Sequence, residues 1–152
     1  MRDTGYLLVR AGTRLVGLPI ADVVEVVDPG PSYPVPAVEA AVRGVVSVRG
    51  RIIPLVHLGA LLDGTACPAA DVTGVGATGI IVAIAGTHLC FEVEAADEVL
   101  RETGVPVPPG TSLPGAVAVA RHAGTLVPLL DLGILASALG GGLARSVETG
   151  AV

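Results

Sequence analysis

The sequence predicts an all-β protein built from small, closed or nearly closed barrels. Three observations support this class. Val and Ile are abundant in a chain that is 51% apolar but holds only three aromatic residues, and β-branched residues favour strands. Ten short apolar runs are separated by turn residues. A hairpin-like stretch also occurs twice, at 43–59 and 114–133. No long helical pattern alternates with the strands, which excludes a doubly wound α/β fold.

The first half of the chain is predicted to form five strands, each bounded by a turn signal. Pro19 ends the second strand and the run 28–31, Asp-Pro-Gly-Pro, ends the third. Arg49-Gly50-Arg51 is a tight hairpin turn in which Gly50 supplies a positive φ. The five strands are 6–9, 14–18, 23–27, 45–48 and 52–56.

Four non-strand segments of the first half are also predicted. The run up to residue 37 contains three prolines, so it is an extended connection rather than a helix. Residues 39–42 and 58–62 each have the length of a single helical turn. The stretch 63–79 is rich in Gly, Ala and Thr and marks a boundary between two lobes.

The second half repeats this order. Residues 105–110 form a second extended, proline-rich connection, and Asp131 is placed to cap a helix over 132–139 that the glycines at 140–142 end. The predicted strands are 80–84, 88–93, 96–100, 116–120 and 126–130.

The internal repeat suggests how the domain is organised. Gly50, Pro54 and Leu58 recur at one constant spacing in the second half, as Gly124, Pro128 and Leu132. Gly44 matches Gly115 at a shorter spacing, which predicts three extra residues at the turn of the second copy. A period near half the chain indicates two similar lobes within one domain spanning 1–152. Lobe one is expected mainly over 14–79, lobe two mainly over 80–139 together with the N-terminal strand, and 140–152 as a flexible tail.

Charge and hydropathy exclude two classes of partner. The net charge is −5 with no basic cluster, and stacking aromatics are missing, which argues against nucleic acid. Mean hydropathy is +0.75, yet the longest uncharged run, between Asp71 and His88, is too short and too rich in glycine to span a membrane. The N-terminus lacks a signal peptide, and two cysteines suit a reducing compartment, so a cytoplasmic protein is expected.

Residues for catalysis or cofactor binding are not found in a useful arrangement. No Gly-x-Ser-x-Gly elbow occurs and Ser47 has no obvious base. The glycines Gly74-x-Gly76-x-x-Gly79 precede a strand, whereas a dinucleotide fingerprint must follow one. The sequence therefore predicts no enzyme, no cofactor and no metal. The three histidines lack ligand spacing and neither cysteine belongs to a Cys-x-x-Cys pair; these residues are His57, His88, His122, Cys67 and Cys90.

The hairpin 44–58, Gly-Val-Val-Ser-Val-Arg-Gly-Arg-Ile-Ile-Pro-Leu-Val-His-Leu, resembles the CheW-like domain, the adaptor of bacterial chemotaxis. Supporting matches are Leu18-Pro19-Ile20, the strand 23–27, Val93-Glu94 and the second hairpin end 128–132. The resemblance covers roughly residues 5–139. It implies two intertwined five-stranded SH3-like β-barrels with short helices at the connections, and no catalysis.

Three positions depart from the family pattern. Ser47 stands where Asn is usual, His57 where Asp is usual, and Cys90 where Gly is common. The family Asp would cap the short helix that follows, and His is expected to be a poorer cap. These changes affect the partner surface more than the fold.

The resemblance also implies a partner-binding surface on the kinase side. It comprises Val23, Glu25, Gly44, Arg49 and Gly50, with Glu25 and Arg49 close together. The alternatives are a solvated ion pair for Glu25 and Arg49, and plain barrel packing or turn geometry for the others. The implied partners are the regulatory domain of a CheA-like histidine kinase and the cytoplasmic tip of chemoreceptors, which would recruit the protein to membrane-associated receptor arrays.

Two other functions stay open at this point. A diverged CheW-like scaffold could serve a kinase pathway outside chemotaxis, such as pili or development. A small-ligand binding protein is disfavoured, because such a protein needs a deep pocket with converging polar groups, and the sequence offers no residues to build one.

Overall fold

A computed structural model describes residues 4–36, 39–68, 77–108 and 113–138. Over these ranges the chain forms eleven β-strands and two short α-helices, which confirms the all-β class. The strands are β1 Tyr6–Ala11, β2 Arg14–Pro19, β3 Val23–Val27, β4 Val42–Val48, β5 Arg51–His57, β6 Thr78–Ile84, β7 Thr87–Val93, β8 Ala95–Leu100, β9 Val105–Pro106, β10 Ala116–His122 and β11 Thr125–Leu130, and the helices are α1 Leu58–Asp63 and α2 Leu132–Ala138.

The first sheet, here called barrel one, has the strand order β3-β6-β7-β5-β4. Although β3 and β4 are the two ends of this order, side chains from all five strands meet in one apolar cluster. Strands at opposite ends of a sheet share an interior only when the sheet curls round on itself. Each strand contributes at least one residue to this interior: Val27, Val46, Ile53, Ile81 and Cys90.

The second sheet, barrel two, has the order β8-β1-β2-β11-β10-β9 and a comparable apolar interior. It has six strands rather than the expected five, because part of the proline-rich connection pairs with β10. Val105 lies opposite Val119, and the Val107 amide donates to the Val117 carbonyl at 3.0 Å. An extended backbone with free amides on one side can join a sheet edge even beside a proline.

The strands of each barrel come from both halves of the chain. β2 belongs to barrel two, whereas β6 and β7 belong to barrel one, so the sheets do not follow the expected lobe boundaries of 14–79 and 80–139. Two parallel strand pairings join strands from different halves of the chain: β5 pairs with β7, and β11 pairs with β2. The barrels are therefore intertwined, as the resemblance implied.

The internal repeat keeps one constant offset through both hairpins. Val42–Val48 and Arg51–His57 correspond to Ala116–His122 and 125–131, and each hairpin has a two-residue turn. The prediction of three extra residues at the second turn is wrong. Gly44 lies inside β4, while Gly115 precedes β10, so the two glycines occupy different places in the fold.

A third apolar cluster lies between the barrels and joins them. It combines strand residues of both sheets with the buried faces of both helices, and we call it the central core. Burial of this kind is the dominant stabilising term of a fold. Its fully buried members include Leu18 of β2, Leu58 of α1, Phe91 of β7, and Leu132 and Leu135 of α2.

Both predicted helical segments at the hairpin ends are present. α1 begins at Leu58, and α2 spans Leu132–Ala138. Residues 39–42 form a turn in which the Val42 amide donates to the Glu39 carbonyl. The glycines at 74 and 76 and the tail 140–152 lie outside the described residues. Neither helix in the described ranges has the length that a bilayer crossing requires.

Candidate functional site

Glu25 and Arg49 form a bidentate ion pair where the two end strands of barrel one meet. The guanidinium Nη1 and Nη2 donate to the carboxylate Oε1 and Oε2 at 2.5 and 2.7 Å. Glu25 lies on β3 and Arg49 directly follows β4, so the pair joins the two end strands of the sheet. The hydrogen bonds and charge of Glu25 raise the pKa of Arg49. The two side chains therefore lie close together, as the resemblance implied.

The Arg49 side chain remains largely open to solvent despite this pairing. Its exposed fraction is 74%, against 25% for Glu25. Bidentate geometry orients the planar guanidinium group, while solvent screening keeps such a pair weak. The exposed face of Arg49 can therefore meet a partner without breaking the bonds to Glu25.

The turn that carries Arg49 has positive φ at both of its residues, 51° at Arg49 and 79° at Gly50. Two-residue hairpin turns of this type match the twist of the flanking strands. A side chain at Gly50 would meet no other atom, so the turn needs glycine for its backbone angles alone. Gly50 positions Arg49 and offers no contact of its own.

Gly44 and Val23 have clear packing roles. A methyl group at Gly44 would overlap the carbonyl group of Tyr33. That carbonyl accepts from the Val45 amide at 2.9 Å, and the Tyr33 amide donates back to the Val45 carbonyl at 2.8 Å. Val23 lies opposite Val82 and packs against the central core. Contacts within the chain thus account for both residues, with the proposed partner contact still a prediction.

Barrel two contains a histidine–glutamate contact that the sequence analysis did not predict. His122 Nε2 and Glu98 Oε1 lie 2.8 Å apart, on β10 and β8. In both barrels the acidic residue precedes its partner by 24 positions. At the constant offset of the two hairpins, however, Arg49 corresponds to Ala123 rather than to His122, so the two pairs do not occupy equivalent places in the repeat.

Exposed apolar residues occur in both barrels. Val26 and Ile52 of barrel one are exposed, as are Val99 and Leu126 of barrel two. Exposed apolar side chains beside an oriented charge are common at protein interfaces. The rim of barrel one is therefore a candidate protein-binding surface, which we define as Val26, Ile52, Glu25 and Arg49.

His57 caps α1, although histidine is not a favoured residue for this role. Its Nδ1 accepts from the Ala60 amide at 3.0 Å. Its Nε2 faces Glu94 Oε1 at 3.7 Å. The second carboxylate oxygen of Glu94 accepts from the Gly12 amide at 2.6 Å. This departure from the family pattern therefore retains the cap and places the ring beside Glu94, in the connection between the barrels.

Asp131 caps α2, as predicted. Its Oδ1 accepts from the Ile134 amide at 2.9 Å. Asp131 and His57 occupy the same place in the two copies of the repeat, directly before the helix in each case. The two helices thus begin in the same way with different chemical groups.

Arg43 and Glu92 form an ion pair that is largely shielded from solvent, with side-chain exposures of 13% and 15%. Arg43 Nε donates to Glu92 Oε1 at 2.8 Å, and Nη1 donates to the Pro68 carbonyl at 2.8 Å. The pair joins β4 to β7 across β5. It fastens the chain that follows α1 onto barrel one, so its role is structural.

The two cysteines are poor nucleophiles. Burial raises the pKa of Cys90 to about 12, and burial also raises the pKa of Cys67. A thiol reacts through its thiolate form, which a raised pKa makes scarce. Over the ranges that the structure describes, no group of three His, Cys, Asp or Glu residues could hold a metal ion.

Comparisons with known proteins agree with this architecture. A family model described as CheW-like domain matches residues 5–102. Among solved structures, the chain is similar to the scaffolding protein TtCheW from Thermoanaerobacter tengcongensis, with 25% identity and a TM-score of 0.73, over 88% of this chain and 92% of that one. No curated protein sequence matches the chain.

Proposed function

Because the chain belongs to the CheW-like domain family, a family of chemotaxis scaffold proteins, we propose that it is a non-catalytic adaptor that couples chemoreceptors to a CheA-like histidine kinase. The observation that carries this proposal is the oriented Arg49–Glu25 pair at an exposed apolar rim. The residues at this rim, an oriented charge beside exposed apolar side chains, suit protein binding.

The kinase contact is assigned to the rim of barrel one. Val26 and Ile52 supply apolar area there, while Arg49 supplies a directed cation. Apolar contacts in such interfaces provide affinity, whereas charged groups at the edge set orientation and association rate. The regulatory domain of the kinase would present an acidic group to Arg49.

Charge reversal at Arg49 tests this contact. Arg49→Glu should lower the affinity for the isolated regulatory domain at least ten-fold, because a new like charge would face the partner's acidic group. Titration calorimetry at two salt concentrations would measure the loss. Arg121→Glu is the matched control, since Arg121 is an exposed arginine on barrel two, and its affinity should stay unchanged.

A double variant separates the surface role of Arg49 from its role inside barrel one. Glu25→Arg combined with Arg49→Glu restores an ion pair between the two end strands of barrel one, with the positions of the two charges exchanged. The proposal requires that this variant have the same free energy of unfolding as the native protein and still bind the kinase regulatory domain weakly. Native affinity in the double variant would mean that the pair only stabilises the barrel, and the kinase surface would have to lie elsewhere.

The receptor contact is assigned to the border between the two barrels. Partly buried apolar residues rest against the central core there, among them Leu7, Ile84, Ala96 and Leu113. An apolar groove that takes an amphipathic helix is a common mode of recognition, and the receptor tip is a helical hairpin. Ile84→Glu should weaken binding to a receptor cytoplasmic fragment while leaving kinase binding intact. Loss of both binding interactions would point to misfolding. If receptor binding and kinase binding were both retained, this receptor site would be rejected.

A further inference from the structure

His57 has a different partner on each nitrogen of its ring. Nδ1 accepts from the Ala60 amide at 3.0 Å, within the first turn of α1. Because an accepting nitrogen cannot carry a proton, the proton of the neutral ring must lie on Nε2. That proton points toward Glu94, whose Oε1 lies 3.7 Å away. This distance is too long for a good hydrogen bond.

The two partners respond in opposite ways when the ring gains a second proton. The proton must go to Nδ1, which then becomes a donor and can no longer accept from Ala60. The same proton gives the ring a positive charge beside the Glu94 carboxylate, which favours a closer contact. Protonation therefore weakens the bond to α1 and strengthens the bond to Glu94.

Glu94 occupies the point where the chain passes from barrel one to barrel two. It is the single residue between β7 and β8. Its amide donates to the Arg10 carbonyl of β1 at 2.9 Å, and its Oε2 accepts from Gly12 in the β1–β2 turn. A change in how His57 holds Glu94 thus acts directly on the connection between the barrels.

Other charged side chains near His57 are already paired with different residues. On β7, Glu92 lies opposite His57 in the strand register, and its carboxylate binds Arg43. On α1, Asp63 pairs with Arg14 of β2. The β1–β2 turn contributes the uncharged Gly12. Glu94 is the carboxylate within 4 Å of the ring.

We propose that His57 acts as a pH-dependent latch. The neutral ring caps α1, and the charged ring binds Glu94 at the connection between the two barrels. Histidine is the side chain whose charge changes most readily near neutral pH. The Asp that is usual at this position would stay ionised near neutral pH, so it would cap α1 throughout that pH range. Asp131, the equivalent cap of α2, provides that comparison within the same molecule.

Nuclear magnetic resonance on the full ¹⁵N-labelled chain tests the latch directly. The imidazole nitrogens should show the proton on Nε2 at high pH. As the ring charges, hydrogen exchange of the Ala60 amide, corrected for its intrinsic pH dependence, should become about five-fold faster, the factor for a lost N-cap. The Ile134 amide, capped by Asp131, should not change. A proton on Nδ1 at high pH, or unchanged Ala60 protection, would overturn the proposal.

Two variants test the two positions separately. His57→Asn keeps a good cap without a titrating group, so Ala60 protection should become independent of pH. Glu94→Gln removes the carboxylate but keeps an oxygen for Gly12, so the Nε2 proton signal of the charged ring should move away from the position of a hydrogen-bonded proton. An unchanged Nε2 proton signal in Glu94→Gln would show that the charged ring does not engage Glu94, and the latch would be rejected.

Discussion

The two glycines of the candidate site satisfy different physical requirements. Gly44 allows a close approach of two backbones, because its missing side chain leaves room for the Tyr33 carbonyl. Gly50 instead provides a left-handed backbone, with open space around it. Substitution by alanine separates these requirements, since alanine adds one methyl group in both places.

Gly44→Ala is expected to be the more damaging of the two changes. Overpacking beside a rigid backbone typically costs about 1–3 kcal/mol, and the Tyr33–Val45 bonds would be strained as well. Gly50→Ala should cost about 1 kcal/mol, the penalty of a left-handed conformation. Urea unfolding would measure both free energies. Equal losses at the two positions would contradict the packing role of Gly44.

The cysteines should differ sharply in reactivity. Cys90 is fully buried with a pKa of about 12, whereas Cys67 is partly exposed. Because a raised pKa lowers the thiolate fraction at every pH below it, Cys90 should not react in the folded protein even at pH 9. A chromogenic thiol reagent should label one cysteine in the native state and two in urea. Labelling of both in the native state would show that barrel one opens readily.

At the scale of the elements, the less exposed ion pair should matter more than the exposed one. Arg43→Gln leaves the Glu92 carboxylate, which is 15% exposed, without its charged partner, and should cost about 1–3 kcal/mol. The Arg14–Asp63 pair has exposures of 45% and 47%, so Arg14→Gln should cost no more than ~1 kcal/mol. Chemical unfolding of both variants checks the order, and the reverse order would exclude the fastening role of Arg43.

The hairpins could be predicted from the sequence because their signals are local. Arg49-Gly50 between two alternating strands identifies a turn from a few neighbouring residues, and Asp131 identifies the start of α2 in the same way. The parallel contacts β5–β7 and β2–β11 carry no such signal, because strands that pair in parallel lie far apart in the chain. The distribution of strands between the barrels is therefore the part of the fold that composition and repeats did not reveal.

The candidate site was predictable to a similar degree. Glu25 and Arg49 came from the family resemblance, and the structure brings them together. The link from His57 to Glu94 could not be foreseen, since it depends on how the β1–β2 turn packs against α1. The partner of a buried or half-buried polar group is decided by tertiary contacts, which a single sequence does not contain.

At the scale of the whole molecule, the central core should make the two barrels unfold together. Leu135 of α2 is fully buried there, among residues of both sheets. Leu135→Ala should cost about 2–5 kcal/mol through the cavity that it leaves. Amide probes in both barrels, such as Val46 and Val127, should report the same lowered stability. Two separate transitions would show that the barrels are independent units.

The exchange of strands also sets the order in which the protein can fold during synthesis. All strands of barrel one have been translated once Val93 is made, so that barrel can close first. The earliest hairpin, β1–β2, must wait for β8 on one side and β11 on the other. This hairpin is thus synthesised before the other strands of the two barrels but is among the last to find its neighbours, and until then its two open edges are available to chaperones or to other nascent chains.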